Sequence, residues 1–113
     1  MHKTYDIGLQ DSDVADILRI FQKNERINKI ILFGSRAKGT YEMGSDIDLA
    51  ISGSELKTND ILDLSNELEE LDLPYKFDLI ILERIKEKSL LEHIRRVGIV
   101  LFDKDKPNAP RSV

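Results

Sequence analysis

The chain has 113 residues, of which 41% are apolar and 34% charged, a balance typical of one globular domain and not of a disordered segment. It has no cysteine, which excludes disulfides and thiolate metal sites, and its net charge of −4 disfavours direct nucleic-acid binding over a broad surface. No apolar run approaches the roughly 18 residues of a membrane span, and the N-terminus lacks the apolar segment of a signal peptide, so we expect a cytoplasmic protein without membrane association.

The first part of the chain predicts a helix followed by a buried strand. Apolar residues recur at helical spacing over residues 13–24, and an unbroken apolar run ends the strand predicted at residues 27–33. Gly34 and Ser35 then interrupt the apolar pattern, just before a predicted helical turn.

The rest of the chain alternates between strands and helices. These elements are a strand at residues 45–52, a helix beginning at residues 58–60, a strand at 76–82, a helix at 86–97 and a short strand at 99–102. Such a pattern predicts an α/β (α+β) fold with one sheet of about four strands. We expect residues 1–103 to form this single domain and residues 104–113, which contain two prolines, to form a flexible tail.

The strand predicted at residues 45–52 carries an acidic pair. Asp46 and Asp48 are separated by one residue, so on a strand their side chains share a face, with Cα atoms about 6–7 Å apart. Two carboxylates held this close repel each other unless a cation lies between them. Oxygen ligands without a nearby histidine or cysteine favour Mg²⁺ or Mn²⁺ over Zn²⁺. The pair therefore predicts a divalent metal site.

The turn after the first strand has residues that suit a phosphate. The backbone N–H groups of Gly34 and Ser35 can face a phosphate, and the Ser35 hydroxyl is a further donor. Arg36 and Lys38 add positive charge nearby, and Ser45 lies directly before the acidic pair. All five are candidate nucleotide- or phosphate-binding residues. Together with the metal site, they predict binding of a nucleoside triphosphate.

Asp78 is the third candidate metal ligand. It lies in the strand predicted at residues 76–82, on the opposite face from its apolar neighbours. A carboxylate in the middle of an apolar strand costs free energy unless it is paired or binds a metal. If this strand lies beside the strand at residues 45–52, Asp78 joins the acidic pair.

Each feature has a simpler interpretation when it is taken alone. The residues Gly34 and Ser35 can form an ordinary turn, Arg36 can be a solvated charge, and Asp78 an exposed residue on an edge strand. His93 lies beside the apolar stripe of the last helix, and we predict it to be a surface residue. The combination of the turn, the acidic pair and the third acid in the next strand is what favours a functional site.

These residues resemble the signature of a known superfamily. Gly34-Ser35, ten further residues and Asp46-Ile47-Asp48 resemble the signature of the DNA polymerase β nucleotidyltransferase superfamily. The version Gly34-Ser35-Arg36-Ala37-Lys38-Gly39 is similar to that of the minimal nucleotidyltransferases, or MNT proteins. The resemblance covers residues 13–102 and implies a mixed sheet with helices packed on it.

The resemblance also implies a reaction. Asp46 and Asp48 would bind two Mg²⁺ ions, and Asp78 would bind the ion that activates the attacking hydroxyl. Gly34 and Ser35 would hold the β- and γ-phosphates. The hydroxyl would attack the α-phosphate in line, and pyrophosphate would leave.

The resemblance further implies a protein partner. Minimal members are commonly encoded beside a small helical HEPN protein, and several are antitoxins that adenylylate a tyrosine of that toxin. We therefore expect an enzyme that transfers AMP from ATP to a HEPN tyrosine. Two alternatives stay open: a non-catalytic antitoxin that masks its partner by contact, and a nucleotidyltransferase for a small acceptor such as an aminoglycoside.

Overall fold

The computed structural model describes residues 7–42 and 44–106, and every statement of structure below concerns these residues. Their elements follow the predicted order, including the helical turn after Gly34, with one short 3-10 turn added. They are α1 (Asp11–Gln22), β1 (Lys29–Phe33), α2 (Ser35–Lys38), β2 (Ile47–Ser52), α3 (Thr58–Glu69), β3 (Phe77–Ile81), a 3-10 turn (Leu82–Arg84), α4 (Lys88–Val97) and β4 (Ile99–Asp103).

The four strands form one mixed sheet in the order β3-β2-β1-β4. The β1 strand pairs antiparallel with both β2 and β4, whereas β2 and β3 are parallel. The predicted small mixed sheet with helices packed on it is therefore confirmed. Because β1 and β2 are antiparallel, the end of β1 lies beside the beginning of β2.

One face of the sheet is covered by α1 and α3. Alternate residues of β2 (Ile47, Leu49 and Ile51) point to this side and are almost fully buried in the main apolar cluster. Phe21 of α1 and Leu68 of α3 belong to the same cluster. Burial of each such side chain contributes about 1.5–3 kcal/mol, so this layer holds the sheet in place.

The opposite face is covered only in part, by α4. Ile94 of this helix packs on Phe33 of β1 and Ala50 of β2 in a second, smaller apolar cluster. Asp48 neighbours Phe33 across the antiparallel pair, so it lies on this face of the sheet, which we call the α4 face. The α4 face thus carries both an apolar cluster and the acidic residues.

The end of the chain leaves the sheet near the beginning of β1. The Lys104 N–H donates to the Asn28 carbonyl at 2.7 Å, so the first residue of the predicted tail is held against the domain. Residues 107–113, most of that tail, lie outside the described residues. In the described part of the chain, each helix is too short or too polar to cross a membrane.

Candidate active site

Three neighbouring strands bring the predicted site residues to one end of the sheet. Phe33, the last residue of β1, pairs with Asp48 of β2, and Asp48 pairs with Asp78 of β3. Gly34 follows Phe33 directly, so the turn after β1 lies next to Asp48. The strands β2 and β3 are therefore neighbours, which Asp78 requires in order to lie beside the acidic pair.

Gly34 allows the backbone to touch the Asp48 carboxylate. Its φ of 78° and ψ of −157° lie in a region that residues with a side chain rarely occupy. A Cβ atom built on Gly34 would collide with Oδ2 of Asp48. Glycine is therefore required here for two reasons, and its lack of a side chain lets the turn lie directly against the Asp48 carboxylate.

Asp48 lies in an environment that disfavours its charged form. It is half-buried, and this burial raises its pKa above the usual value of an aspartate. The neighbouring charges of Asp78 and Asp46 raise the pKa further, whereas His93 lowers it. Within residues 7–42 and 44–106, no lysine, arginine or histidine forms a salt bridge with any of the three acids. A divalent cation would relieve this repulsion.

Asp46 and Asp78 differ from Asp48 in that both are exposed to solvent. Asp46 lies just before β2, because that strand begins at Ile47 and not at residue 45 as predicted. The cause is a turn in which the Glu42 N–H donates to the Ser45 hydroxyl at 2.8 Å, and the Ser45 N–H donates to the Glu42 carbonyl at 2.9 Å. The Ser45 hydroxyl thus already has a partner within the chain.

The three carboxylates do not form a complete metal site by themselves. In the described part of the chain, no three acidic or histidine side chains converge on a common position. The donor chemistry nonetheless fits Mg²⁺, which is bound through one or two carboxylates together with water and substrate phosphates. A Mg²⁺ ion at these residues would therefore need further oxygen ligands, such as water or phosphate.

Arg36 is used differently from the prediction that it contacts phosphate. Its side chain is only 2% exposed. The guanidinium donates to the carbonyls of Ile7 (2.8 Å), Gly8 (3.3 Å) and Ser45 (2.9 and 3.2 Å). These bonds would have to break before the guanidinium reached a nucleotide. We therefore interpret Arg36 as a structural residue.

The Arg36 guanidinium also lies over two aromatic rings. Its central carbon is 5.2 Å from the ring centre of Tyr41 and 4.8 Å from that of Tyr75, within the range of cation–π attraction. Arg36 thus connects α2 to the segment before α1, to Tyr41 and Ser45, and to the segment before β3. Of the other predicted phosphate-binding residues, Ser35 begins α2 and is half-buried, and Lys38 ends it and is exposed.

His93 is a site residue that sequence reasoning missed. The prediction of a surface position is wrong, because the ring is half-buried under the end of β1. Its Nε2 accepts a hydrogen bond of 3.1 Å from the Gly34 N–H. The ring also packs edge-on against Phe33, with centres 6.2 Å apart and planes at 81°. Only the docking of α4 on the sheet makes these contacts, which no local sequence pattern signals.

Comparisons with known proteins agree on a family. Residues 15–107 match the family described as polymerase beta, nucleotidyltransferase. A Haemophilus influenzae protein named probable protein adenylyltransferase MntA is 32% identical over 101 residues, which are 88% of this chain and 88% of that protein.

Solved structures show the same fold. A crystal structure of a toxin–antitoxin with AMP-PNP has a TM-score of 0.64 and 27% identity, over 84% of this chain and 74% of that one. A tri-AMPylated HEPN toxin in complex with an MNT antitoxin, from Shewanella oneidensis, contains a chain with a TM-score of 0.59. That likeness, at 20% identity over 87% of this chain and 76% of the other, concerns the fold alone.

Proposed function

The chain belongs to the polymerase β nucleotidyltransferase family, and we propose that it transfers AMP from magnesium-bound ATP to a tyrosine of a HEPN-type toxin, as the antitoxin of that toxin. The observation that carries this proposal is the contact between the Gly34 turn and the Asp48 carboxylate, with Asp78 as the register neighbour of Asp48. Such an arrangement would allow a phosphate and a metal ion to bind side by side. ATP as the substrate also fits the cytoplasmic location that the sequence predicts.

Each residue has a defined task in this proposal. Asp46 and Asp48 would hold both Mg²⁺ ions, and Asp78 would hold the ion nearest the acceptor. When bound, the ions stabilise the charge on the attacking and leaving oxygens. Ser35 would hold the β- and γ-phosphates through its N–H and hydroxyl, beside Gly34, whose own N–H donates to His93. The acceptor oxygen bonds to the α-phosphorus, its proton is released, and the bond to pyrophosphate breaks.

The shape of the site supports a protein as the acceptor. Asp46 and Asp78 are exposed, so the end of the sheet is open to a large partner. A partner that docks here would orient its own hydroxyl, and good orientation can contribute about 7–11 kcal/mol to the rate. Two similar proteins, a probable protein adenylyltransferase and a toxin–antitoxin crystallised with AMP-PNP, support the same reaction.

The test is to incubate the chain with ATP, Mg²⁺ and a HEPN-type toxin, sought in the gene adjacent to its own, and to measure the mass of that toxin. We expect a mass gain of AMP on a tyrosine. The Asp48→Asn variant should give none, while the matched control Asp63→Asn, an exposed acid of α3, should act like the wild type. If Asp48→Asn neutralises the toxin fully without modifying it, masking by contact replaces catalysis as the function.

A further inference from the structure

We infer that His93 is a positioning residue for nucleotide binding, acting through Gly34. The two residues are 59 positions apart in the sequence, and the Gly34 N–H donates a hydrogen bond of 3.1 Å to Nε2 of His93. This inference rests on the proposed function, because it concerns the turn that would hold the phosphates. It assigns to α4 a part in the site that the signature motif does not contain.

Gly34 loses more conformational entropy on folding than any other residue type would at this position. Glycine has the largest conformational entropy in the unfolded chain, and Gly34 adopts a φ of 78° at the junction between β1 and α2. Its carbonyl is fixed on the side of α2, where it accepts the Lys38 N–H at 3.1 Å. Its N–H is fixed by His93. The imidazole therefore restrains the peptide group before Gly34, and the Lys38 bond restrains the one after it.

The imidazole is itself held in place by its packing. His93 lies on α4 next to Ile94, which is buried against Phe33 and Ala50. The ring meets the Phe33 ring edge-on, so it contacts both the last residue of β1 and the glycine that follows. Phe33 pairs with Asp48 across the sheet. His93 thus sets the position of Gly34 relative to the Asp48 carboxylate that it touches.

A turn that is ordered beforehand binds its ligand more tightly than one that must be ordered on binding. Removal of the acceptor at position 93 should therefore weaken the binding of Mg–AMP-PNP. Loss of one hydrogen bond of this kind corresponds to a rise in Kd of about 3- to 10-fold. The rate of transfer at saturating nucleotide should change much less, since His93 touches no reacting atom in the proposed reaction.

Two variants of the full chain separate positioning from packing. His93→Leu keeps an apolar group against Phe33 and removes the acceptor, whereas the side-chain oxygen of His93→Gln can replace Nε2 as acceptor. Calorimetry with Mg–AMP-PNP should show weaker binding for His93→Leu and near-normal binding for His93→Gln. Arg96→Gln, an exposed change on the same helix, should leave the Kd unchanged.

Hydrogen exchange of the Gly34 amide, followed by NMR, gives a readout that needs no nucleotide. In the wild type this amide should exchange more slowly than that of the exposed Gly44. The protection should be lost in His93→Leu and retained in His93→Gln. Should His93→Leu not fold, the wild type and His93→Gln still decide the matter, because an unprotected Gly34 amide in the wild type overturns the inference.

The outcomes distinguish this inference from the proposed function. If the wild type binds Mg–AMP-PNP and His93→Leu binds it equally well, the inference is overturned and the proposed function stands. If the wild type does not bind Mg–AMP-PNP, the proposed function fails and the role of His93 in nucleotide binding fails with it. Weaker binding by both His93→Leu and His93→Gln would also overturn it, since the acceptor would then not be the cause.

Discussion

Asp60 and Asp48 lie at opposite ends of the β1–β2 pair and have opposite electrostatic environments. Asp60, which is 8% exposed, accepts hydrogen bonds from the Lys57 N–H at 2.8 Å and from the side chains of Asn24 and Arg26 at 3.1 Å each. The Lys57 bond is the main cause that lowers the pKa of Asp60. The pKa of Asp48 is raised instead, first by burial and then by Asp78 and Asp46.

The difference shows which of the two acids the fold needs. Asp60 stabilises the folded chain, because its donors favour the charged form and fix the first turn of α3 to the end of α1. Asp48 is kept where its charge is disfavoured, next to two further acids. A carboxylate in that position is a candidate functional residue, since a ligand can supply the compensation that the protein lacks.

The largest expected effect comes from Asp48→Asn. The variant keeps the size of the side chain but loses a charge that would hold both metal ions, so transfer of AMP should fall by at least about 10²–10³-fold. Calorimetry should also show weaker ATP binding that no longer depends on Mg²⁺. Asp60→Asn is the contrasting control, and its transfer rate per folded molecule should equal that of the wild type. Unchanged, magnesium-dependent binding by Asp48→Asn would contradict the metal assignment.

Asp78→Asn should separate binding from transfer. Asp78 lies on β3, apart from the acidic pair, and in the proposed site it holds only the ion nearest the acceptor. Nucleotide binding should be largely retained, whereas transfer should fall by about 10²-fold. The measurements are the Kd for Mg–ATP and the rate of AMP transfer at saturating nucleotide. A near-normal rate would mean that Asp78 does not act in the reaction.

Local sequence patterns were sufficient to predict the face of the sheet on which Asp48 and Asp78 lie. Alternation along β2 and β3 put Asp48 and Asp78 on the faces opposite their apolar neighbours, and the sheet follows that parity. The mixed sheet followed from the resemblance and not from the pattern. Whether the three acids hold metal ions stays a prediction, which the variants above test.

The sequence was not sufficient where the partner of a side chain is distant or is a main-chain atom. Arg36 donates to the Ile7 carbonyl 29 positions away, and no residue type at position 7 signals such a bond. His93 has a partner 59 positions away, the N–H of a glycine. Main-chain groups occur at every position, so periodicity and motif spacing cannot identify which of them a buried side chain will reach.

Asp60→Asn should lower the free energy of unfolding by about 2 kcal/mol, because hydrogen bonds to a charged acceptor are replaced by weaker ones to an amide. The pH dependence has a definite direction. Since the folded state lowers the pKa of Asp60, its contribution is present above the unfolded pKa of about 3.9 and is lost as the pH falls through the folded value. Urea unfolding at pH 7 and in acid measures both the loss of unfolding free energy and its dependence on pH. A difference between wild type and variant that grows in acid would contradict this role.

The smallest expected effect is that of Asp48→Asn on stability in buffer without metal or nucleotide. This variant should stabilise the fold, whereas Asp60→Asn should destabilise it. Because the folded state raises the pKa of Asp48, its favourable contribution exists below the unfolded pKa of about 3.9 and is lost as the pH rises through the folded value. At pH 7 the charged carboxylate therefore destabilises the fold in the absence of a ligand.

Asp48→Asn should raise the Tm by about 1–4 °C, a modest gain because solvent screens a half-buried charge. Asp63→Asn, on the exposed side of α3, should leave the Tm unchanged. Addition of Mg–ATP should reverse the order of the two proteins, since only the wild type binds it tightly. A Tm of Asp48→Asn below that of the wild type in metal-free buffer would mean that Asp48, like Asp60, stabilises the fold, and the contrast between the two ends of the sheet would be lost.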